Sequence, residues 1–218
     1  MKVVRFIFNS YRVCSYLLID DGADCVLIDP ANETDKETQR IKDYIAEHGL
    51  NLKALLNTHC HTDHILGVKD LMDHYGVPFY ADELEEKNVR WSEAVAPMMG
   101  FSFKMPSMPT PLSKEYAFGS TVLKVLKCPG HTAGGVSFYN EASGVVFSGD
   151  TLFAGSIGRT DFPGGDLDDL MHSIRTELLI LPPETVVYPG HGPETTVREE
   201  ILHNPFLGNS NEYSEISM

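Results

Sequence analysis

Residues Thr58–His64 read Thr-His-Cys-His-Thr-Asp-His and directly follow an apolar run that we predict to be a buried strand. Three histidines and one aspartate fall within six consecutive positions. In an extended chain, residues two apart point the same way, so His59 and His61 can converge on one point. Asp63 and His64 can then turn toward a second point nearby. Imidazole and carboxylate groups together are typical ligands of zinc, iron or manganese, so we prefer a metal site here to a polar turn with surface histidines.

Three further candidate ligands, His131, Asp150 and His191, each follow an apolar, strand-like run. Both histidines come directly after Pro-Gly, where proline stiffens the strand exit and glycine permits a sharp turn. Each of these residues alone could be a capping or turn residue. Together with the first loop they make seven potential ligands, and such a set predicts a metal centre built from the ends of several strands.

The composition is that of a globular protein. The 218 residues are enough for one sizeable domain, with 42% hydrophobic and 22% charged residues. We find no run of about 18 apolar residues and no signal-peptide pattern, and therefore expect a cytoplasmic protein without a membrane partner. The net charge of −14 disfavours binding to nucleic acid or to anionic membranes.

The remaining cysteines and histidines have plainer interpretations. The four cysteines form no C-x-x-C pair, so we expect reduced, buried thiols rather than disulfides. A ligand role for Cys60 stays open, although alternation points it away from the flanking histidines. Four other histidines have no candidate ligand near them in sequence, and we expect surface or packing roles for them: His48, His74, His172 and His203.

Strands and helices follow in two similar halves. Helical spacing predicts helices over Glu33–His48, Ile65–Tyr75, Asp82–Arg90, Asp168–Leu181 and Glu194–Leu202. Strands are expected at Val3–Phe8, Ser15–Asp20, Cys25–Asp29, Leu52–Asn57, Phe79–Tyr80, Thr121–Lys127, Val136–Asn140, Val145–Ser148 and Thr185–Tyr188. Strands followed by a helix occur in each half, which favours a layered sandwich with sheets inside and helices outside.

The stretch Trp91–Pro111 differs in character from the rest of the chain. It holds the single tryptophan, four of the eight methionines and two phenylalanines. Such a run is typical of an active-site cover whose soft methionine side chains adapt to substrates, or of a satellite core beneath a long loop. If it is a cover, polar substitution of Met98, Met99 and Phe101 changes substrate affinity more than metal content.

The complete ligand pattern resembles that of the metallo-β-lactamase superfamily. The pattern is His59-x-His61-x-Asp63-His64 followed by His131, Asp150 and His191, and the resemblance covers nearly the whole chain. It implies an α/β fold, a four-layer αβ/βα sandwich of two mixed sheets flanked by helices. We expect one such domain over residues 1–207 and a polar tail over residues 208–218.

Within that superfamily, three stretches are similar to compact bacterial glyoxalase II-like hydrolases: Gly149–Phe153, Gly158–Phe162 and His203–Leu207. The resemblance implies two divalent metal ions, zinc in the first place with iron or manganese as alternatives. His59, His61 and His131 would bind the first ion, and Asp63, His64 and His191 the second. Asp150 would bridge the two ions.

The resemblance implies hydrolysis of an acyl thioester such as S-lactoylglutathione, an anionic small molecule. A hydroxide between the metals would attack the carbonyl carbon, and Asp63 would be the catalytic residue that orients it and accepts its proton. A thiolate leaves without a dedicated acid because its conjugate thiol is already modestly acidic. Full-length glyoxalase II enzymes carry a C-terminal helical region for glutathione, and this chain ends where that region would begin, so the thiol carrier could differ.

The alternative is an iron-dependent persulfide dioxygenase of the same superfamily. Those enzymes bind one iron through residues that match His59, His131 and Asp150, and they share the Gly-Arg-x-Asp-Phe motif at Gly158–Phe162. Against this stands Pro189–Gly192, because the dioxygenases usually have alanine before the histidine and aspartate after it. For Arg159 and Asp161, just after the bridging carboxylate, we prefer an ion pair that shapes the loop to direct substrate contact.

Overall fold

The first of two six-stranded sheets is built mainly from the N-terminal half of the chain, in a computed structural model that describes residues 1–208. Its strands lie in the order β1 to β6, with antiparallel pairing from β1 to β3 and parallel pairing from β3 to β6. The strands are β1 (Lys2–Phe8), β2 (Val13–Ile19), β3 (Asp24–Ile28), β4 (Asn51–Leu56), β5 (Phe79–Ala81) and β6 (Thr110–Pro111).

The second sheet is also mixed. Its strands are β7 (Glu115–Phe118), β8 (Thr121–Lys127), β9 (Val136–Asn140), β10 (Val145–Gly149), β13 (Val186–Pro189) and β14 (Thr195–Thr196). Between β10 and β13 in sequence, β11 (Leu152–Phe153) and β12 (Ser156–Ile157) form a separate small hairpin. The order is β14-β13-β10-β9-β8-β7, and only β10 and β13 pair in parallel.

Helices cover the outer face of each sheet. The helices are α1 (Asp35–Glu47), α2 (Val68–Tyr75), α3 (Glu86–Val95), α4 (Leu167–Ser173), which continues as a π-helical turn over Ile174–Leu178, and α5 (Val197–His203). Helix α1 begins with a capping box, in which Thr34 accepts from the backbone N–H of Glu37 and Glu37 accepts from that of Thr34. The positions of four helices predicted from periodicity, α1, α2, α4 and α5, are confirmed to within a few residues.

Alternating side chains of the inner strands fill three apolar layers. On β2, Leu17 packs toward the helices of the first half, whereas Leu18 packs into the layer between the two sheets. On β10, Phe147 faces that central layer and Val146 faces α4 and α5. Because both faces of both sheets are covered, the architecture is helices, sheet, sheet, helices. The predicted four-layer αβ/βα sandwich with two mixed sheets is confirmed.

Two hydrogen bonds join the sheets at the end where β2 meets β13. The backbone N–H of Cys14 donates to the carbonyl of Gly190 at 2.7 Å, and the Tyr16 hydroxyl donates to that of Pro189, also at 2.7 Å. Val13 and His191 form an isolated bridge beside them. Strand β13 of the second sheet is thereby held against strand β2 of the first.

The structure corrects several expectations. The helix predicted over Asp82–Arg90 begins later, at Glu86, and follows a 3₁₀ turn over Glu83–Glu85. Asp82 and Glu85 are buried. Glu85 accepts hydrogen bonds from backbone N–H groups, which makes burial of a carboxylate tolerable. The short strands β6, β7, β11, β12 and β14 were not predicted.

Other expectations concern cysteines, membrane spans and the tail. All four cysteines are free and buried, as predicted, and Cys60 packs in the apolar layer beneath α1 and α2. Within residues 1–208, no helix is long and apolar enough to cross a membrane. The predicted tail lies outside the described residues apart from Gly208, and the single domain over residues 1–207 stays a prediction.

Asp20 links the β2–β3 turn to the β7–β8 turn of the other sheet. Its carboxylate accepts from the hydroxyl of Thr121 at 2.6 Å, from the backbone N–H of Gly22 at 3.0 Å and from both the hydroxyl and the N–H of Ser120. These donors, with Thr121 foremost, hold the pKa of Asp20 well below its usual range. The ionised carboxylate therefore stabilises the contact between the two sheets.

We expect Asp20→Asn to lower the free energy of unfolding at pH 7. Because folding lowers the pKa, this stabilisation is present above the unfolded value of about 3.9 and is lost as the pH falls toward the folded value. Urea unfolding of both proteins from pH 7 downward should show a constant difference above about pH 5 that shrinks below about pH 4. Equal stability at pH 7, or a difference that does not change with pH, would contradict this role.

Candidate metal centre

The histidine loop leaves β4 and closes in a short 3₁₀ turn over Thr62–His64. The side-chain amide of Asn57, the first residue after the strand, donates to the backbone carbonyls of His59 and His64 at 3.1 Å each. This amide closes the loop from beneath. All of Asn57–His64 is buried, so the loop is a rigid part of the fold and its side chains have fixed directions.

One cluster brings together His59, His61 and His131, whose ligand atoms lie within 4.8 Å of one another. His61 Nδ1 and His131 Nε2 are 2.9 Å apart. The Nδ1–H of His131 donates to the carbonyl of Arg159 at 2.8 Å, since a carbonyl can only accept, and Nε2 is left with its lone pair facing the cluster. The two histidines of the first loop and the histidine after β8 thus meet as predicted.

A second cluster brings together Asp63, His64 and His191, again within 4.8 Å. His64 Nε2 lies 3.3 Å from His191 Nε2, which in turn lies 3.6 Å from Asp63 Oδ2. The Nδ1–H of His191 donates to the carbonyl of Tyr11 at 3.0 Å, so its Nε2 also points inward. Tyr11 lies between β1 and β2, so this hydrogen bond joins the first sheet to His191 of the second.

Asp150 lies between the two clusters. Its Oδ2 is 3.6 Å from His131 Nε2 and 3.5 Å from His191 Nε2, and its Oδ1 is 3.5 Å from His64 Nε2. It follows β10, whose end faces the end of β4 across the central layer. All seven sequence-predicted residues therefore meet at one place.

The cluster has the properties of a cation site. His59 Nε2 and Asp150 Oδ1 are buried and have no hydrogen-bond partner among the residues that the structure describes. Buried polar atoms without partners are rare, and each costs about 1 to 3 kcal/mol. A cation between these atoms would satisfy them. Five imidazoles with two carboxylates form a mixed nitrogen and oxygen set that suits zinc, iron or manganese.

The electrostatics keep most of the ligands ready to bind a cation. Burial lowers the pKa of His59 well below its usual value, and burial with the neighbouring His131 lowers that of His61 to about 3, so both rings are neutral at pH 7. Burial also opposes charge on His64 and Asp150, but the opposite charges outweigh it. The carboxylates of Asp150 and Asp63 raise the pKa of His64, and His64 chiefly lowers that of Asp150.

The family model of the metallo-beta-lactamase superfamily matches residues 10–191. The chain belongs to the metallo-beta-lactamase superfamily. It is 38% identical over 202 residues to hydroxyacylglutathione hydrolase GloC of Haemophilus influenzae. This alignment covers 89% of this chain and 92% of that protein. These findings place it among the metal-dependent hydrolases of the superfamily.

Solved structures of the superfamily share the whole fold. The BLEG-1 B3 metallo-beta-lactamase matches with a TM-score of 0.84 and 32% identity over 95% of this chain and 100% of that one. TTHA1623, solved in a di-iron-bound form, matches with a TM-score of 0.85 and 36% identity over 94% of this chain and 100% of that one. The predicted membership and fold of the superfamily are confirmed.

Asp29 supports two histidines of this superfamily site and was missed in the sequence. Asp29 is buried, and its carboxylate accepts from the backbone N–H and the hydroxyl of Thr58 at 2.8 and 2.7 Å. That hydroxyl lies 3.1 Å from His59 Nδ1, and Asp29 Oδ2 lies 3.1 Å from His64 Nδ1. Asp29 thus directs the Nε2 atoms of both histidines inward. Although Asp29, His59 and His64 also lie close enough together to hold a cation, these bonds already occupy Asp29.

We expect Asp29→Asn to weaken metal binding about 10- to 100-fold, because an NH₂ group would replace one of the two carboxylate oxygens. One of these oxygens accepts from the Thr58 N–H, and the other from the Thr58 hydroxyl and His64. Competition with a chromogenic chelator measures the change. Asp24→Asn at the other end of β3 is the matched control, since Asp24 Oδ1 accepts from Asn51 and an amide oxygen can do the same. Equal affinities of the two variants would show that Asp29 has no part in the site.

Helix α3 is bonded directly to two ligand loops. Glu85, just before the helix, accepts from the backbone N–H of Cys60 at 2.7 Å and from that of Gly134 at 3.0 Å. The Thr62 hydroxyl donates to Ser92 Oγ on the helix at 2.9 Å. Neither Glu85 nor Ser92 stands out in the sequence, because Glu85 binds backbone N–H groups and Ser92 binds a single hydroxyl.

A pocket of about 390 Å³ opens above the candidate ligands. Trp91, Val95, Met98 and Met99 line one side of it, and Asp63, Asp150 and His191 lie at its base. The rest of the Trp91–Pro111 stretch packs inward: Phe101 is buried against Leu66 and Ala96, and Phe103, Met105 and Met108 pack against the core. Both interpretations of this stretch therefore apply, a pocket wall up to Met99 and a satellite core beyond it.

The Arg159 side chain forms the predicted ion pair with Asp161, through Nε at 2.6 Å and a terminal nitrogen at 2.7 Å. Its guanidinium also lies 3.9 Å from the centroid of the Phe162 ring. The four histidines predicted to be away from the site are exposed: His48, His74, His172 and His203.

Proposed function

We propose that the protein is a binuclear metallohydrolase that cleaves acyl thioesters, with S-lactoylglutathione as the first substrate to test. His59, His61 and His131 would hold one divalent ion, Asp63, His64 and His191 the other, and Asp150 both. The observation that carries this proposal is the pair of three-residue clusters on either side of Asp150, with His59 Nε2 and Asp150 Oδ1 buried and without partners.

When bound, two divalent ions lower the pKa of a shared water toward neutrality and polarise a substrate carbonyl oxygen. Asp63 lies at the base of the pocket and is 9% exposed, so its carboxylate can orient the attacking water and accept a proton from it. The side-chain amide of Asn9 donates to the backbone carbonyl of Asp63 at 2.9 Å and keeps Asp63 in place.

The leaving group also fits the residues present. A thiol has a pKa of about 8.5, so its thiolate departs without a strong acid beside it. The relative named as a hydroxyacylglutathione hydrolase supports a small thioester of glutathione, which would place the reaction in the cytoplasm. Zinc is the first metal to test, and the di-iron-bound form of TTHA1623 makes iron the second.

Metal analysis of protein purified without chelators, followed by thioester assays, tests the proposal. Two equivalents of zinc, iron or manganese per chain with hydrolysis of S-lactoylglutathione is the expected result. Cleavage of another ester or lactone, with no cleavage of S-lactoylglutathione, would contradict the substrate. One equivalent of iron with oxygen uptake on glutathione persulfide would instead support the persulfide dioxygenase.

A further inference from the structure

The pocket above the ligands has one continuous apolar wall. Helix α3 contributes Trp91 and Val95, and the 3₁₀ turn that follows it over Ala96–Met99 contributes both methionines. Met98 is 85% exposed, so most of its side chain is open to a molecule in the pocket. The apolar side chains of the wall therefore lie in the same pocket as the carboxylates that would face a reacting carbonyl.

The wall is fixed relative to the ligands. Thr62, which lies between two ligand residues, bonds to Ser92 on α3, and Glu85 bonds to the Cys60 backbone in the same loop. Behind the wall, Ala96 and Phe101 are buried against Leu66. A group that contacts the wall is thus held at a set distance from the base of the pocket.

Charge recognition is weak on this side. Among the residues that line the pocket, Arg159 is the one lysine or arginine, and its guanidinium is already paired with Asp161 and stacked on Phe162. An anionic group that displaced Asp161 would gain little, because an exposed ion pair is worth about 1 kcal/mol or less. Discrimination between substrates along this wall therefore depends on apolar contact.

We propose that the wall receives the apolar acyl chain of a thioester and that Met98 and Met99 set the preference for its length. This inference rests on the proposed thioester hydrolysis and adds the class of acyl group. The carbonyl lies above Asp63 and Asp150, and the chain extends along Val95 and the methionines. Methionine suits this role because its unbranched thioether adapts to chains of different length.

The test uses acetyl, butyryl, hexanoyl and octanoyl thioesters of N-acetylcysteamine with the metal-loaded protein. The expected kcat/KM rises about fourfold for each methylene added, the factor for burying one CH₂ group. In the double variant Met98→Gln/Met99→Gln this factor should fall below about twofold. Leu202→Gln is the matched control, because Leu202 is an exposed apolar residue on α5 that does not line the pocket, and it should keep the steep dependence.

A binding measurement separates this inference from the proposed reaction. Calorimetric titration with butanoate, hexanoate and octanoate should show affinity that rises with chain length in the original protein and much less in the double variant. If this pattern appears without hydrolysis of any thioester, the proposed reaction is wrong, but the binding of acyl chains by the wall is supported. If thioesters are cleaved equally well at all lengths, or if the dependence survives both methionine substitutions, the wall has no such role.

Discussion

Asp150→Ala is expected to weaken binding of the proposed pair of metal ions and to lower kcat/KM by more than about 100-fold, because substitution of residues that only support metal ligands already costs about 10- to 100-fold. The carboxylate of Asp150 is the group that faces both clusters, with His131, His191 and His64 all within 3.6 Å of one of its oxygens. Without it the two clusters share no ligand. Each would have to hold its cation with three protein groups.

Metal content and thermal unfolding measure this loss independently of activity. Added metal should raise the Tm of the original protein, since a ligand that binds only the folded state stabilises it, and should raise that of Asp150→Ala much less. Asp161→Ala is the matched control, an aspartate on the nearby loop whose carboxylate pairs with Arg159. An Asp150→Ala protein with two tightly bound ions and ordinary activity would refute the proposed bridging role.

Gly190→Ala is expected to disrupt the centre although it changes no ligand. A Cβ at this position would lie 2.1 Å from Asp150 Oδ1 and 2.9 Å from His64 Cε1, distances that side chains do not tolerate. Asp150 must then move by more than the roughly 0.5 Å that a catalytic constellation allows. We expect kcat/KM to fall by about 100-fold or more, as for other misplacements of about 1 Å.

Gly192, on the other side of His191, provides the comparison. It has a φ of +81° and nothing within 4 Å of its Cβ position, so asparagine, which accepts left-handed backbone, should be tolerated there. Normal metal content in Gly190→Ala, or an equal loss in Gly192→Asn, would show that the close approach at Gly190 does not hold Asp150 in place.

The sequence predicts which candidate ligands come together, because they are chemically rare groups at fixed spacing after apolar strands. His59 and His61 alternate in a short loop, and Pro-Gly precedes both His131 and His191. The helices can likewise be recognised from their helical spacing, and strands that are buried on both faces from their apolar runs. These features depend on residues that are close together in the chain.

The supporting residues could not be found in this way. Asp29 ends an apolar run as many turn residues do, and its partners Thr58 and His64 lie about thirty residues away. Glu85 stands in a run of charged residues that is typical of an exposed helix, but it binds two backbone N–H groups. Every residue except proline has such a group, so the sequence carries no mark of where these bonds form.

The origin of the ligands divides the centre between the two halves of the chain. The loop after β4 belongs to the first sheet, whereas His131, Asp150 and His191 follow strands of the second. Any cation shared by His61 and His131, or by Asp63 and His191, would link the two halves where the Cys14 N–H and the Tyr16 hydroxyl already donate hydrogen bonds from one sheet to the other. Withdrawal of the cation would then loosen one half from the other at this end, so cofactor supply would govern how long the newly made chain resists proteases as well as how fast it turns over substrate.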